Sequence, residues 1–265
     1  MSKYLEVMRL SFKMQIIWRF DVVMTMAATI ARILAGWIVW QAIFASRDMV
    51  AGLGLSAMLS YYLLSAILRS IDFSHHISSE INYLIRQGTF AGHLVAPHNP
   101  LVFFSSMCAG QTVFHLGFSL VAALIATQLL GITMVFTGEI ACLLLALLLI
   151  PLGLCFMAIL QYIFGILTFR YIEIGFILHV QFSIIEFATG ALIPLVLLPA
   201  GVLSILRWLP FNHVIYTPVM LLTGQMGYQE GLEGLLILGV WTAALAIASQ
   251  QAYRRLRTAY DGVGI

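Results

Sequence analysis

The chain has 265 residues, 62% of them apolar and only 9% charged, with a formal net charge of +2 and a mean hydropathy of +1.00. So little polar surface cannot cover a soluble globule of this size, and so small a positive balance does not suit a nucleic-acid partner. Lipid satisfies no open backbone group and the apolar runs are too long for barrel strands, so the chain is read as an all-α integral membrane protein.

In chain order, residues 1–20 come first and place Leu5, Met8, Phe12 and Ile16 on one stripe, with most of Lys3, Glu6, Arg9, Lys13 and Arg19 opposite. Such a helix suits the membrane interface. Charges recur along it and no small-residue cleavage site closes it, which argues against a signal peptide. Six spans are expected after it, at about residues 22–44, 53–71, 101–130, 140–169, 174–198 and 232–252, with part of the third outside the membrane. Asp21, at the entrance to the first, reads as a helix-terminal carboxylate.

Lys and Arg favour the cytoplasmic side of short loops. With the amino terminus inside, Lys3, Arg9, Lys13, Arg19, Arg69, Arg86, Arg170 and the tail arginines Arg254, Arg255 and Arg257 are cytoplasmic, and Arg47 and Arg207 lie outside. Both termini are therefore expected in the cytoplasm.

The same orientation puts the polar stretch SSEINYLIRQGTFAGHLVAPHNP, residues 78–100, on the cytoplasmic side. Ile81, Leu84, Ile85 and Gly88 share one helical face there. Gly88 and Gly92 permit a turn or close approach, and Pro97 and Pro100 end the stretch. Two readings stand side by side: a helix that docks a partner, and one that floats among the headgroups.

Two charges fall inside predicted spans, Arg32 in the first and Glu186 in the fifth, at similar depth from the cytoplasmic face. A charge at the bilayer centre costs at least about 2.5 kcal/mol and normally faces protein or water. A packing ion pair between them is one reading; a polar spot lining a conduit is the other. Pro151 and Gly153 suggest a kink in the fourth span, and Gly190, Pro194, Pro199 and Gly201 a broken outer end to the fifth. Residues 199–224 then read either as two short outer helices that dip back and gate an exit, or as a long ordered loop. Trp208, Phe211 and Tyr216 suit an outer aromatic belt.

Catalytic signatures are missing from the sequence. It has no GxxxxGK[ST] phosphate loop, no GxSxG nucleophile elbow, no HExxH pair and no GxGxxG after a strand. Cys108, Cys142 and Cys155 read as small buried side chains, with no disulfide or zinc spacing. His75 and His76 point about 100° apart on a helix and suit an interface better than one metal; His115 and His179 read as hydrogen-bonded packing residues.

The order of these features resembles the type 2 ABC transporter permeases, in the branch with a short cytoplasmic loop and a basic carboxyl end. IRQGTFAGHLVAPHNP is similar to the family's coupling loop through Gly88, Phe90, Leu94 and Pro97; LPFNHVIYTPVMLLTG is similar to its outer segment; YRRLRTAYDGVGI, residues 253–265, is similar to its basic tail. His93 and His98 depart from that pattern.

The resemblance implies a single transmembrane permease domain over residues 1–265: an interface helix, six transmembrane helices, a cytoplasmic coupling helix and outer re-entrant helices. It implies an ATP-driven exporter in a bacterial cytoplasmic (inner) membrane, with a conduit formed by two permease chains, identical or related, in contact with membrane lipid. No cofactor is expected in this chain; ATP and Mg would belong to a separate cytoplasmic ABC ATPase subunit. That subunit would receive Ile81, Leu84 and Ile85 as an inserted face, with Glu80 and Arg86 at the rim. Pro199, Trp208, Pro210 and Pro218 would belong to the outer gate. A non-transporting membrane assembly or scaffold subunit is the alternative.

Overall fold

A computed structural model describes residues 2–17, 19–171, 174–191 and 193–259. The side chain of Asp21 and the tail residues 260–265 lie outside the described residues.

Eleven α-helices account for most of what is described: α1 (Ser2–Ile17), α2 (Arg19–Phe44), α3 (Leu55–Ile71), α4 (His75–Arg86), α5 (Ala91–Val95), α6 (Pro100–Leu130), α7 (Ile140–Ile166), α8 (Gly175–Ala188), α9 (Ala200–Leu206), α10 (Tyr216–Leu222) and α11 (Tyr228–Leu256). Among the described residues no strand forms beyond one isolated bridge between Val50 and Leu53. Four segments, Val22–Phe44, Pro100–Leu130, Ile140–Phe169 and Tyr228–Leu256, are long and apolar enough to cross a membrane. The chain is a multi-pass membrane protein.

α3 and α8 are shorter, at 17 and 14 residues. The expected fifth span, residues 174–198, is thus cut at Ala188. Thr189 closes α8 and Gly190 takes φ +77°, a left-handed conformation that glycine adopts without steric cost. The hydroxyl of Tyr61 on α3 donates to the Gly190 carbonyl at 2.8 Å and fixes the break in place.

The most buried of the four long segments contains α7, which packs against α11, α4 and α10 and runs unbroken through Pro151. Leu145, Leu149, Phe156 and Met157 on α7 form one core with Val219 and Leu221 of α10 and Leu238 of α11. Gly153 lets α7 approach Val214 closely. A smaller core of Ile33, Leu63, Ile67, Ala123 and Ala126 holds α2, α3 and α6 together.

α1 lies lengthwise along the first half of α6. Gly110 makes this possible, since a Cβ there would collide with the Met8 carbonyl. Ser11 is buried in the contact, and Gln15 Oε1 lies 3.1 Å from His115 Nε2. Leu5, Phe12 and Ile16 stay exposed, as a stripe meant for lipid must. At its start, Lys3 Nζ donates to the Pro97 carbonyl at 2.6 Å and the Tyr4 hydroxyl accepts from Asn99 N at 3.0 Å.

Candidate functional site

The expected coupling stretch folds into α4 and α5. α4 is strongly amphipathic, but its apolar face is taken by the chain itself. Ile77 and Ile81 are fully buried and Ile85 nearly so, in a cluster with Phe104, Tyr162, Ile166 and Phe169, and Leu84 packs at its edge. Ile81, Leu84 and Ile85 are therefore not a free face for a partner. The cause lies on α7, where Gly165 brings α4 in so closely that a Cβ would stand 2.9 Å from Ile81 Cβ.

Past α4, Gly88 turns the chain at φ +73°, and Phe90 N donates back to the Leu84 carbonyl at 3.1 Å. Phe90 is fully buried, edge-on to Phe169 with ring centroids 5.1 Å apart. Burying such a ring contributes roughly 1.5 to 3 kcal/mol, so Phe90 pins the loop to the bundle. The other side of the platform faces out: Glu80, Tyr83, Leu94 and Val95 are exposed, with Tyr83 at 59% and Val95 at 85%, and Arg86 is half-buried. Pro97 is exposed and held from behind by Lys3.

His93 and His98 meet, Nδ1 to Nε2 at 3.0 Å, beside Phe103. Desolvation lowers the pKa of both; the neighbouring His98 adds to the effect at His93, and Lys3 adds to it at His98. His75 is pushed down to about 4, first by burial and then by His76 and Arg69. No group of three metal-ligating side chains occurs among the described residues.

Glu186 takes a different partner from the one its position in the chain suggests. Arg69 Nε donates to Glu186 Oε1 at 2.9 Å, and the Arg69 guanidinium lies 4.7 Å from the centre of the Phe182 ring. α8 begins alongside α4, with Phe182 against His75, so counting residues from the start of the span overstates the height of Glu186. It rises only to the end of α3. Arg32, by contrast, is exposed on the outer surface of α2, where its carbonyl accepts from the Tyr62 hydroxyl at 3.2 Å. Among the described residues Arg32 has no ion-pair partner.

One polar contact between helices was not legible beforehand. Gln161 on α7 and Gln181 on α8 exchange amide hydrogen bonds at 3.4 and 3.1 Å, both side chains buried. Two isolated glutamines twenty residues apart carry no sequence signal of pairing. His115 is buried with Gln15 for a partner, whereas His179 is exposed on α8. Cys108 and Cys142 are buried; Cys155, expected to be buried, is exposed because its side of α7 is uncovered in this chain.

At the opposite end, α9 and α10 are joined through Pro210 and a short 3-10 turn over Phe211–His213. Pro199 caps α9, and Pro218 sits in the first turn of α10, where no helical N–H is lost. His213 holds the turn, Nδ1 at 2.9 Å from Thr217 Oγ1 and Nε2 donating to the Arg207 carbonyl at 3.1 Å. α10 is buried along its length, while Trp208 is 76% exposed and its carbonyl accepts from Trp241 Nε1 at 3.2 Å. Beside it opens a cavity of about 480 Å³, lined in part by Arg207, Asn212, Glu230 and Glu233.

Long apolar helices, a loop platform at one end of the bundle and broken helices at the other define a multi-pass helical membrane protein. Residues 30–264 match the family described as ABC-2 family transporter protein, and the chain belongs to that family. No curated protein and no solved structure matches it. It is a membrane permease, a transport subunit that is not itself catalytic, and permeases of this family generally work with an ATPase partner.

Proposed function

We propose that the chain is the permease of an ATP-driven exporter and that its α4–α5 platform receives a cytoplasmic ABC ATPase, which supplies ATP and Mg. The observation that carries this reading is the platform's construction. Its inner face is locked onto α7 through Gly165, Ile81 and Phe90, so a push on it is passed to the most buried helix of the bundle. Its outer face offers Tyr83, Leu94 and Val95 with Glu80 beside them, an apolar centre with a charged rim.

The remaining parts follow from the same reading. Both termini are cytoplasmic in a bacterial inner membrane, with six crossings, α3 and α8 being the two short ones. α8 completes its crossing through the broken segment up to Leu198. α9 and α10 form the outer gate around Pro199, Trp208, Pro210 and Pro218. Arg32 faces a second permease chain, identical or related, across the conduit. Left against lipid, its charge would cost at least about 2.5 kcal/mol, and no carboxylate of this chain compensates it among the described residues.

Co-expression with the ATPase tests the docking face. Tyr83→Asp combined with Val95→Asp should leave the permease inserted and its melting unchanged, yet abolish retention and stimulation of the ATPase. Full stimulation by that variant would overturn the proposal.

A further inference from the structure

A cavity of about 490 Å³ opens where the start of α1, the loop before α6 and the last turns of α11 converge. That volume is within the range of small-molecule sites. Its charged walls have one sign: Lys3, Arg254 and Arg257 line it, and among the described residues no aspartate or glutamate does. Neither arginine is in an ion pair among the described residues, and Arg257 rests 5.9 Å from the centre of the Tyr253 ring. Lys3 is steadied at the rim by the Pro97 carbonyl.

Two further features favour an anion. Pro100 and Leu101 line the cavity, so the positive end of the 31-residue α6 abuts it. Tyr4, Ser249 and Gln250 add neutral hydrogen-bonding groups to the wall. Three cations held around one space repel one another until an anion enters. A single carboxylate offsets only one of them. A phosphate group offers more oxygens, up to two negative charges and the geometry that a guanidinium fork grips in two places.

We infer that this cavity binds a phosphate-bearing anion, carried either by the headgroup of an anionic phospholipid or by a soluble phosphate ester. The cavity borders the ATPase-facing side of the platform and shares Leu94 with it, while its cationic wall on α1 and α11 lies outside that face, and the inference does not depend on the export reading. Arg255 is the internal control. It is exposed on the same helix and adjacent in sequence, yet outside the cavity wall.

The test uses the full chain in detergent, with the thermal midpoint followed against two probes: mixed micelles containing phosphatidylglycerol, and glycerol phosphate in solution. At least one probe should raise the midpoint in a saturable way. Arg254→Gln and Arg257→Gln should each weaken that binding about tenfold, Lys3→Gln should weaken it through a different helix, and Arg255→Gln should change it less than twofold. Response to the lipid alone assigns the anion to a headgroup; an equal response to glycerol phosphate assigns it to a soluble ester. If neither probe acts, or if Arg255→Gln weakens binding as much as Arg254→Gln, the site does not exist and only diffuse positive charge remains.

Discussion

Arg69 Nε and Glu186 Oε1 stand 2.9 Å apart and tie the last turn of α3 to the last turn of α8. The two side chains are 19% and 29% exposed, so the pair is neither fully buried nor freely solvated. Removing one partner leaves the other charged in a poor solvent, a loss of several kcal/mol when burial is complete and less here. Arg69→Met and Glu186→Leu should each cost about 2 kcal/mol in thermal unfolding of the detergent-solubilised protein. The double variant should recover more than half of the summed loss. Strict additivity would show that the pair is not coupled.

Gly165 sets the distance between α4 and α7. Gly165→Val forces a branched side chain against Ile81 and Ser78, and overpacking of this kind costs roughly 1 to 3 kcal/mol. With an ATPase docked on the platform as proposed, the expected phenotype is a chain that still inserts but stimulates that ATPase poorly, because α4 is lifted off α7. Gly153→Val, near Val214 at the middle of α7, should spare ATPase stimulation if the two contacts act separately.

The amide exchange between Gln161 and Gln181 is the polar link between α7 and α8. Bonds between membrane helices contribute about 0.6 kcal/mol on average and rarely more than about 1.7. Gln181→Leu should therefore lower stability by roughly 1 kcal/mol and Gln161→Leu by a similar amount. Replacing both should be no worse than replacing one, since the second variant removes the orphaned amide; a double-mutant cycle on thermal unfolding reads this directly.

His75 adds a pH dependence whose sign is fixed by the direction of its shift. Burial, His76 and Arg69 push its pKa down to about 4, below the ordinary value of 6.5. The folded state thus binds the proton less readily than the unfolded chain, and this contribution to stability is fully present above pH 6.5 and lost as pH falls toward 4. A shift of that size amounts to at most about 3 to 4 kcal/mol, less for the part of the ring that solvent reaches. Midpoints measured between pH 7 and 4.5 should fall less steeply for His75→Gln than for the parent chain.

Composition and apolar run length were enough to expose the helical membrane class, because both are set by the solvent and require no knowledge of neighbours. The amphipathic face around Ile81 was equally legible. Its occupant was not, since a stripe of apolar residues announces that something covers it without saying what, and here α7 does. Glu186 illustrates the other limit. Counting along the chain places it as though α8 started at the membrane surface, but α8 starts beside α4, and the carboxylate meets Arg69. Arg32 lies on the long, continuous α2, and its exposure on the outer surface could be known only from the assembled bundle.

The clamp of Lys3 on Pro97 and Tyr4 on Asn99 joins segments 94 and 95 residues apart. At elongation rates of about 5 to 20 residues per second, α1 leaves the ribosome roughly 5 to 20 seconds before the start of α6 exists to receive it. During that interval the membrane is available to it, and the stripe of Leu5, Phe12 and Ile16 that stays exposed in the finished fold gives it a means of waiting there. The permease is thus closed at this end by a helix made well before its partner and seated late, and the seating of α1 marks the moment at which the end of the bundle where α6 begins becomes complete.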